Sequence, residues 1–355
     1  MKLNTPRWWY SRDARHGRVL RTLLSPVSAL YARESRRRLA QKQGIDPGVP
    51  VISVGNLTVG GSGKTPVARE ILNVLAKAGV DGHAVSRGYG GKEIGPLMVD
   101  PDVHRSEDVG DEPLMLAAQH PVWVARDRAE GAMAAVEAGA ETLVLDDAHQ
   151  NPSVKKTLSI VVVDGETRDG EWPFGDGAVF PSGPMREPLE EGLARADAVV
   201  ILLPSDVPEA DPELLKLFGG LPVLIARLTP LKEPTEPPDP KVGFAGVGKP
   251  WKVERAMKAA GIELKEFCAY PDHGAYTDAD LRRLQGLAER HSAALITTEK
   301  DWVRLPPAWR ERVAAWPVKA AFDDPAALDE LLVPLGLPVP DARRQPASRR
   351  SRKES

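Results

Sequence analysis

The stretch "VGGSGKT" (residues 59–65) contains the residue types that bind nucleotide phosphates. In a phosphate-binding loop, consecutive backbone N–H groups point at the phosphate from the start of a helix. A lysine such as Lys64 then reaches the β- and γ-phosphates, and a hydroxyl such as that of Thr65 binds Mg²⁺. The stretch lies between a strand-like run and a helical pattern, which favours this interpretation over a glycine-rich structural turn. The predicted nucleotide-binding residues are Thr58, Val59, Gly60, Gly61, Ser62, Gly63, Lys64 and Thr65.

Thr58 stands where the usual pattern, G-x-x-x-x-G-K-[ST], has its first glycine. Glycine adopts unusual backbone angles without strain, so a threonine there counts against a phosphate loop when it is considered alone. Gly55, Gly60 and Gly61 still supply flexible positions around it. The departure therefore weakens the prediction without excluding it.

An apolar run, "TLVLDD", ends in Asp146 and Asp147. In P-loop enzymes, a carboxylate at the end of a strand near the loop helps to hold Mg²⁺. Acids that end a strand often only cap the next turn, so the pair alone is a weak signal. Together with the loop, it predicts a magnesium site formed by Thr65, Asp146 and Asp147.

The base of the nucleotide is predicted to be adenine. A GTPase carries an N-K-x-D or T-K-x-D signature that recognises guanine, and "TTEKD" (Thr297–Asp301) resembles it only loosely because lysine and aspartate are adjacent. A second glycine–lysine string, "FAGVGKP", lacks a serine or threonine after Lys249 and is interpreted as a strand-to-helix turn. The sequence therefore predicts ATP and Mg²⁺ as cofactors.

Further polar side chains stand in predicted turns and at a predicted helix start. Asp111 and Glu112 precede a helical run, where acids either complement the helix dipole or act as the base for an acceptor hydroxyl. His273 lies in a turn, where a lone histidine is usually structural. Arg186 lies in a proline-flanked turn, from which a guanidinium can stabilise charge on a transferred phosphoryl group. None of these groups alone identifies a substrate.

From Pro50 onward, short apolar runs alternate with helical patterns, which indicates a mainly parallel sheet with helices on both faces. The stretch "RLTPLKEPTEPPDPK" holds five prolines and predicts a stiff linker, after which a smaller α/β pattern follows. The predicted fold is α/β and P-loop NTPase-like, with a smaller C-terminal α/β domain and an N-terminal amphipathic membrane helix. The predicted division is a basic N-terminal segment (1–44), a P-loop core domain (45–226), a Pro-rich linker (227–241), a C-terminal domain (242–338) and a disordered basic tail (339–355).

Charge is distributed unevenly along the chain. The net charge is −3, but residues 1–44 hold 11 Lys and Arg against two acids, and residues 342–355 hold six against one. The residues between these ends therefore carry −17. An acidic body with basic ends favours an anionic surface as partner, a phospholipid membrane more than a nucleic acid. Solvated tails are the alternative. The single cysteine, Cys268, excludes an internal disulfide framework and a cysteine-only metal site.

The N-terminal segment combines apolar and basic residues in a helical pattern. Its apolar side chains recur at helical spacing on one face, and four arginines follow directly. The stretch is too short to span a bilayer, which needs about 20 apolar residues. We predict a helix that lies on the cytoplasmic leaflet of a membrane, with a helix packed on the protein's own body as the alternative. The residues concerned are Leu20, Leu23, Leu24, Val27, Leu30, Tyr31, Arg33, Arg36, Arg37 and Arg38.

Several stretches taken together are specific to one family. They are "VGNLTVGGSGKTP", "SRGYGG", "DVGDEP", "VLDDAHQ", "SGPMREP", "FAGVGKP", "PDHGAYT" and "ITTEKDWVRL", in that family's order over roughly residues 15 to 305. The sequence resembles the lipid A 4'-kinase family (tetraacyldisaccharide 4'-kinase). That family's loop also has threonine where the generic pattern has glycine, so Thr58 supports the resemblance.

The resemblance implies a P-loop kinase at the cytoplasmic face of the Gram-negative bacterial inner membrane. It would move the γ-phosphoryl group of ATP to the 4'-hydroxyl of a tetraacylated glucosamine disaccharide 1-phosphate, forming the 4'-phosphate of lipid A. The implied partners are this lipid substrate and the phospholipid surface of the inner membrane, with no nucleic acid and no obligate protein partner.

The family's motifs also imply roles for individual residues. By motif position, Asp111 is the base, and His273 orients it or shares its proton. Lys64 and Arg186 complete the implied catalytic set. The magnesium ligands stay open among Thr65, Asp146, Asp147 and Glu187. The implied substrate-binding residues are Arg87, Tyr89, Glu112 and Gln150.

The chain departs from the family pattern at two places. After the paired aspartates the family commonly has Gly-Phe-Gln-His, whereas this chain has Ala148, His149, Gln150 and Asn151. A second histidine often follows the one at position 273, and here that residue is Gly274. These departures put the roles of the two absent histidines in doubt, and they raise the question whether His149 substitutes locally.

Two other functions share part of the pattern. A GTP-dependent metallochaperone or a ligase would also have a P-loop, but neither needs a basic amphipathic N-terminus, and metallochaperones usually carry a cysteine metal motif that this chain lacks. A membrane-associated, ATP-gated binding module would bind ATP and vesicles without transferring phosphate. A nucleotide panel and the transfer of label to lipid separate both from the kinase.

Overall fold

The computed structural model describes residues 6–13, 15, 17–41, 44–231 and 239–336. Two sheets, one of nine strands and one of four, carry helices on their faces. This architecture confirms the predicted α/β class with a large, mainly parallel sheet, a smaller α/β unit and an N-terminal helix.

The elements of the described residues are numbered in chain order. The strands are β1 (Val51–Gly55), β2 (Gly82–Ser86), β3 (Leu97–Met98), β4 (Val122–Val124), β5 (Thr142–Asp146), β6 (Leu158–Asp164), β7 (Ala198–Leu203), β8 (Val223–Pro230), β9 (Lys241–Ala245), β10 (Leu264–Ala269), β11 (Ala294–Thr298), β12 (Val313–Trp316) and β13 (Val318–Phe322). The α-helices are α1 (Arg18–Gln41), α2 (Lys64–Lys77), α3 (Ser106–Val109), α4 (Asp111–Ala117), α5 (Arg128–Glu137), α6 (Leu189–Leu193), α7 (Pro212–Lys216), α8 (Pro250–Ala259), α9 (Asp278–Arg290), α10 (Glu299–Trp302), α11 (Pro307–Arg310) and α12 (Pro325–Leu332). Short 3-10 helices span Arg7–Tyr10, Arg168–Gly170 and Val333–Leu335.

The large sheet has the strand order β13-β8-β7-β6-β1-β5-β2-β4-β3. Neighbouring strands from β8 to β4 run parallel, and the antiparallel strands β13 and β3 form its two edges. Strands β1, β2, β5 and β7 are buried along their whole length. The continuous apolar sequence of β7 is typical of a parallel strand that is covered on both faces. Because parallel strands end at the same edge, the segments after β1 and β5 meet there.

Helices cover both faces of this sheet. On one face, α2, α4 and α12 pack on a core that includes Ile52 and Val54. On the other face, Val51 belongs to a core that includes Ala132 and Ala135 of α5. Successive residues of β1 point to opposite faces because a strand has a two-residue period. The strand that leads into the phosphate loop is thereby fixed from both sides.

Helix α2 follows β1 after the loop. It begins at Lys64, directly after Gly63, and Pro66 lies in its first turn, where the missing N–H of proline is tolerated. Gly79 follows the helix with a φ of 76°, the left-handed conformation that commonly ends helices. These are the start and stop signals that the sequence shows at both ends.

The smaller sheet has the strand order β10-β9-β11-β12, and all its pairs are parallel. Helix α9 starts with a capping box, in which the side chains of Thr277 and Asp280 each accept from the other's backbone N–H. Its buried face, with Leu281, Leu284 and Leu287, packs in the core of this sheet. The same core supports β11 and the short helix α10 that follows it directly.

The chain returns to the large sheet after the smaller one. Strand β13 pairs with β8, and Leu328 and Leu332 of α12 lie in the core of the large sheet. The predicted boundaries assign these residues to the C-terminal domain (242–338), and they assign Arg227–Pro230, which is strand, to the linker. The pairing joins segments about 90 residues apart, so the local sequence pattern did not indicate it. The division into domains stays a prediction, and most of the linker and all of the tail (339–355) lie outside the described residues.

Helix α1 buries Arg21, Ser28 and Ala32 against the body and turns most of its large apolar side chains outward. Arg21 and Ser28 are buried, Arg21 pairs with Asp176, and Oγ of Ser28 donates to Oγ of Ser182 at 2.7 Å. This is the opposite of a helix that buries its apolar face on its own protein. None of the described helices is long and apolar enough to cross a membrane. The exposed apolar side chains are Val19, Leu20, Leu23, Val27, Leu30 and Tyr31.

Candidate functional site

Thr58 has ordinary backbone angles, which explains why the loop does not need a glycine there. It is not among the described residues with positive φ. Thr58 forms an isolated antiparallel bridge with Met185, and its carbonyl oxygen accepts a hydrogen bond from Nε of Arg186 at 3.0 Å. The backbone N–H of Val59 donates to the carbonyl of Pro184 at 2.8 Å. These contacts fix the start of the loop against the turn that carries Arg186.

Glycine is required at Gly63, by contrast. Its φ of 78° lies in the left-handed region, and a Cβ at this position would lie 2.3 Å from Cδ1 of Leu202. Inside the loop, Nδ2 of Asn56 donates to Oγ of Ser62 at 2.8 Å. The loop is therefore a packed, hydrogen-bonded turn that ends at the N-terminus of α2, where backbone N–H groups and the helix dipole favour an anion.

Lys64, Asp147 and Arg186 form a charged cluster beside the loop. Nζ of Lys64 lies 3.6 Å from Oδ1 of Asp147, and Arg186 binds both carboxylate oxygens of Asp147 at 2.8 and 3.2 Å. Burial lowers the pKa of Lys64, and the charge of Asp147 opposes this shift. Burial would raise the pKa of Asp147, but the charges of Lys64, Arg186 and Arg128 outweigh it and hold this pKa below its usual value. Two cations thus stand next to the loop, in a position suited to the negative charge of a phosphate.

Thr65 and Asp146 supply oxygen atoms that fit a magnesium ion. Oγ1 of Thr65 lies 3.4 Å from Oδ2 of Asp146, and Oδ1 of Asp146 is buried with no hydrogen-bond partner among the described residues. Burial raises the pKa of Asp146 to about 7, which nearby cations only partly oppose. A hydroxyl and a carboxylate are ligands that Mg²⁺ prefers. Asp147 differs from Asp146, because Arg186 already binds both of its carboxylate oxygens.

Asp111 and His273 come together from positions 162 residues apart. Asp111 begins α4 and is 5% exposed, and His273 lies in a turn with a φ of 52°. Nδ1 of His273 lies 3.0 Å from Oδ2 of Asp111. Nε of Arg304 lies 3.5 Å from the same oxygen. Both contacts use Oδ2 of the carboxylate rather than Oδ1.

Lys300 of α10 joins Glu112 to His273. Its Nζ lies 2.6 Å from Oε1 of Glu112 and 3.0 Å from Nε2 of His273. Burial would lower the pKa of Lys300, but the charges of Glu112, Asp272 and Asp111 outweigh it and raise this pKa. Burial would raise the pKa of Glu112, but Lys300 and His273 outweigh it and lower that pKa. Asp111, Glu112 and His273 lie close enough to ligate one metal ion, but the ammonium group of Lys300 already compensates the Glu112 carboxylate.

A buried aspartate holds α10 in place. Asp301 is fully buried and accepts from the backbone N–H of Gly246 at 2.8 Å and from the hydroxyl of Tyr276 at 2.5 Å. It also forms an ion pair with Arg304. Because a buried carboxylate is stable only when it is paired and hydrogen-bonded, these bonds fix the helix that carries Lys300.

The phosphate loop and the histidine cluster face one cleft of about 1080 Å³. This volume suits a ligand of nucleotide size together with part of a second ligand. Asp111 is buried and adjoins the cleft through His273. The lining residues that come from the predicted site are Val59, Gly60, Gly61, Ser62, Gly63, Lys64, Thr65, Arg87, Tyr89, Glu112, Asp146, Asp147, Gln150, Arg186 and His273.

Residues 20–335 match the model of the family described as LpxK, tetraacyldisaccharide-1-P 4'-kinase. The chain belongs to this family. The tetraacyldisaccharide 4'-kinase of Phenylobacterium zucineum (strain HLK1) is 62% identical over 332 residues, which cover 94% of this chain and 99% of that protein. The corresponding enzyme of Caulobacter vibrioides (strain NA1000 / CB15N) is 60% identical over 337 residues, which cover 95% of this chain and 100% of that protein.

A solved structure of the same family confirms the fold. LpxK from Aquifex aeolicus, an "apo" form in complex with ATP, superposes with a TM-score of 0.70 at 27% identity and covers 89% of this chain and 99% of that one. The predicted family, the P-loop fold and the kinase activity are therefore confirmed, and the chain is a kinase of the tetraacyldisaccharide 4'-kinase family.

The four residues that the kinase was predicted to use for its lipid substrate all line the cleft. The ring of Tyr89 is 70% exposed and meets the ring of His273 edge-on, with centroids 5.3 Å apart. Nε2 of Gln150 donates to the carbonyl of Asn56 at 2.8 Å and to Oε1 of Glu187 at 2.9 Å, which fixes its amide. Their places in the cleft agree with contact to an acceptor, and their individual roles stay predictions. The four are Arg87, Tyr89, Glu112 and Gln150.

His149 does not substitute in the cleft for an absent family histidine. It is buried, with Nδ1 3.0 Å from Oγ of Ser159 and Nε2 2.9 Å from the carbonyl oxygen of Gly192. Burial lowers its pKa to about 4, so its ring is a neutral, packed side chain. Glu187, one of the four open magnesium ligands, is also buried and forms an ion pair with Arg195. Both side chains are therefore engaged inside the protein.

No role was predicted from the sequence for Lys300 or Arg304. Both lie in "ITTEKDWVRL", one of the stretches that carry the family resemblance. Apart from that resemblance, the stretch shows only a loose likeness to a guanine-binding signature. The aspartate of that likeness, Asp301, is buried within the protein. Neither cation shows a periodic pattern, and the acids through which they reach the site, Glu112 and Asp111, are distant in sequence. The signal that could have found them is two cations flanking an aspartate within a family motif.

The string "FAGVGKP" forms the predicted strand-to-helix turn between β9 and α8. The turn also approaches the phosphate loop, since a Cβ on Gly248 would lie 3.2 Å from the backbone nitrogen of Gly61. Nζ of Lys249 donates to Oδ2 of Asp164 at 2.7 Å and lies 3.6 Å from the centre of the Tyr10 ring. The turn therefore links the smaller sheet to the loop and to the N-terminal segment.

Proposed function

We propose that this kinase transfers the γ-phosphoryl group of ATP to the 4'-hydroxyl of a tetraacylated glucosamine disaccharide 1-phosphate. The observation that carries the proposal is the shared cleft, in which the phosphate loop faces the cluster built on Asp111 and His273. Phosphoryl transfer needs a donor site and a base for the acceptor within one enclosure. The names of the relatives and the ATP complex of the Aquifex aeolicus structure support this acceptor and this donor.

The donor half of the reaction belongs to the loop and its cations. Backbone N–H groups of the loop after Val59, whose own N–H is bonded to Pro184, bind the phosphates at the N-terminus of α2. Lys64 exchanges its contact with Asp147 for the β- and γ-phosphate oxygens. Arg186, held by Thr58 and Asp147 at the edge of the loop, stabilises the charge on the phosphoryl group in transit.

The acceptor half belongs to Asp111. A bond forms between the 4'-oxygen and the γ-phosphorus, the bond from that phosphorus to the β–γ bridging oxygen breaks, and ADP leaves. The hydroxyl proton passes to Oδ1 of Asp111, while Oδ2 stays in contact with His273 and Arg304. A sugar hydroxyl has a pKa far above neutral, and phosphoryl transfer depends mainly on positioning and charge, so a carboxylate that receives the proton late is sufficient.

Thr65 and Asp146 would hold Mg²⁺, and Oδ1 of Asp146, which is buried with no hydrogen-bond partner among the described residues, supports the assignment. When bound, Mg²⁺ neutralises charge on the β- and γ-phosphate oxygens. Asp147 is the third residue of the predicted magnesium site. Its own contacts hold Lys64 and Arg186 in position.

The acceptor reaches the cleft from a membrane surface. The apolar side of α1 faces away from the protein, as an interfacial helix requires. The basic end of this helix adjoins the cleft, because Arg38 is one of the cleft-lining residues. Acyl chains can therefore stay in the cytoplasmic leaflet of the inner membrane while the sugar head group enters between Tyr89 and the loop. The partners in this proposal are the lipid substrate and the phospholipid surface.

ATP rather than GTP is the proposed donor. In "TTEKD", Asp301 is fully buried and bonded to Gly246 and Tyr276, and Lys300 is bound to Glu112. Neither side chain is placed to recognise a guanine base. A GTP-dependent P-loop enzyme and a non-catalytic ATP-binding module are the alternatives that an assay must separate.

The test is transfer of label from [γ-³²P]ATP to the purified disaccharide acceptor in mixed micelles, with lipid products separated by chromatography. We expect one labelled lipid that requires ATP and Mg²⁺, and none when an acceptor without a free 4'-hydroxyl is used as the matched control. Binding of ATP without any labelled lipid would instead identify a binding module, and a preference for GTP would identify the other alternative.

A further inference from the structure

We infer that Lys300 fixes the protonation of His273 and thereby keeps Asp111 a strong proton acceptor. Lys300 is a positioning residue in this assignment, since it acts on His273 and not on the reacting atoms. For the direction of proton transfer, the assignment rests on the function proposed above. The hydrogen-bond geometry supports it independently of any activity.

The argument starts from the donors and acceptors of the three side chains. An ammonium group has three N–H donors and no acceptor. Nζ of Lys300 lies 3.0 Å from Nε2 of His273, so Nε2 must present its lone pair. The proton of the neutral imidazole is then on Nδ1, 3.0 Å from Oδ2 of Asp111, where it donates to the carboxylate. Lys300, His273 and Asp111 thus form one chain of hydrogen bonds with a single direction.

Carboxylate groups face both ring nitrogens of His273. Oδ2 of Asp111 faces Nδ1, while Oε1 of Glu112 and Oδ1 of Asp272 lie 3.9 and 3.8 Å from Nε2. The ring of Tyr89 covers the imidazole edge-on and carries no charge of its own. Three carboxylates around one imidazole stabilise an imidazolium ion. Lys300 supplies the positive charge at Nε2 instead, so a second proton on the ring would meet an ammonium group.

This arrangement has a consequence for Asp111. A carboxylate beside an imidazolium ion is a weaker base than one beside a neutral imidazole, because the opposite charge stabilises its ionised form. A neutral Nδ1–H still orients the carboxylate through one hydrogen bond. His273 therefore orients Asp111 and does not take its proton, and the proton from the acceptor hydroxyl stays on Asp111 until the site opens to solvent.

A measurement that needs no activity tests the geometry first. In the full-length protein with ¹⁵N-labelled histidine, the two ring nitrogens of His273 should give the signals of a protonated Nδ1 and an unprotonated Nε2 near pH 7, with His273→Gln as the assignment control. Lys300→Met should turn this ring into an imidazolium ion at the same pH. An imidazolium ion, or a proton on Nε2, in the wild-type protein would overturn the inference even if the kinase reaction is correct.

The pH profile of kcat/KM tests the consequence. Removing Lys300 leaves Glu112 buried without its cation, so the double variant Lys300→Met/Glu112→Gln, which removes both charges, guards against simple misfolding. In this variant the ring of His273 should take up a proton at a higher pH and thereby weaken Asp111 as a base, so the acid limb should move up by about one to three pH units. Lys300→Arg, which keeps the charge and a donor, should keep the limb near that of the wild type. Lys258→Met removes an exposed lysine of α8 and should leave the profile unchanged.

The two tests separate the inference from the proposed reaction. A double variant that melts like the wild type, but loses activity equally at every pH with an unmoved acid limb, would show that Lys300 has a structural role only. Absence of lipid phosphorylation in the wild-type protein would overturn the proposed function, and the histidine signals would still decide the assignment of Lys300.

Discussion

The outward-facing apolar side chains of α1 lead to a prediction whose size can be worked out from their exposure. Leu23 and Leu30 are 70% and 67% exposed. Burying a whole leucine side chain contributes about 1.5–3 kcal/mol, so burying the exposed part of each in a bilayer interface contributes about 1–2 kcal/mol. Replacing both with serine should therefore weaken binding to vesicles by about 2–4 kcal/mol, a factor of about 30 to 700 in the partition coefficient.

The assay is co-sedimentation of the full-length protein with vesicles of phosphatidylcholine and phosphatidylglycerol. The Leu23→Ser/Leu30→Ser variant should melt at the wild-type temperature, because both side chains are already exposed in the folded protein. Its turnover should fall on acceptor embedded in vesicles and recover on acceptor dispersed in detergent. Thr22→Ala, an exposed polar position of the same helix, is the matched control and should sediment like the wild type.

Salt adds a second readout to the same experiment. Arg33, Arg37 and Arg38 lie near the C-terminal end of α1, and each basic residue near an anionic surface contributes about 1 kcal/mol at low ionic strength. Residual binding of the double variant should therefore decrease as salt is added. The reasoning would be refuted if the leucine variant bound vesicles as tightly as the wild type, since α1 would then contact something other than the membrane.

Four further substitutions test other parts of the structure. Lys64→Ala should abolish turnover and weaken ATP binding, whereas Asp111→Asn should abolish turnover with an ATP Kd close to that of the wild type by calorimetry; near-normal turnover of Asp111→Asn would exclude Asp111 as the base. Asp301→Ala leaves the buried Arg304 with only the longer ion pair to Asp111, at 3.5 Å, among the described residues, so urea unfolding should show a loss of about 3–5 kcal/mol, and a loss below about 1 kcal/mol would contradict the role of the Asp301–Arg304 ion pair. Burial lowers the pKa of Lys156 to about 8 in the folded protein. The charged lysine therefore destabilises the folded state fully below pH 8, and this destabilisation disappears as the pH rises through the pKa of the unfolded protein, near 10.5. Between pH 8 and 10 the wild type should therefore gain about 2 kcal/mol of stability relative to Lys156→Met, and parallel pH curves for the two proteins would refute the shift.

The phosphate loop and the acids at the end of β5 could be predicted from sequence because their signals are local. Lys64 and Thr65 follow glycines between a strand and a helix, and Asp146 ends an apolar run. Each of these positions depends on the backbone pattern of its immediate neighbours. Topology then brings them together without further information, since parallel strands end at one edge of the sheet.

The remainder of the site depends on contacts between distant segments, which leave no local pattern. The role of Lys300 depends on its contacts with Glu112 and His273, which lie 188 and 27 residues away along the chain. His149 shows the converse, because its position beside a family glutamine suggests a role in the cleft, whereas its ring is bonded to Ser159 and Gly192 inside the protein. Side-chain direction after a strand depends on tertiary packing, and the sequence pattern does not contain it.

The antiparallel pair formed by β8 and β13 makes the smaller sheet removable in principle. Val318 is the register partner of Pro230, and the backbone N–H of Leu231 donates to the carbonyl of Pro317 at 2.9 Å. The two ends of the intervening segment therefore leave the large sheet side by side, at a separation that a tight hairpin turn spans. The chain therefore leaves the large sheet for the smaller one and returns from it at a single place, the end of the β8–β13 pair.

A shortened chain in which a two-residue turn joins these strands would keep Lys64, Thr65 and Asp146 and lose His273 and Lys300. It would keep the nucleotide-binding residues and Asp111, the proposed base, without His273 and Arg304, which contact the Asp111 carboxylate. Such a protein would serve as a minimal scaffold. Other segments could be inserted between β8 and β13 to replace the residues that act on the acceptor.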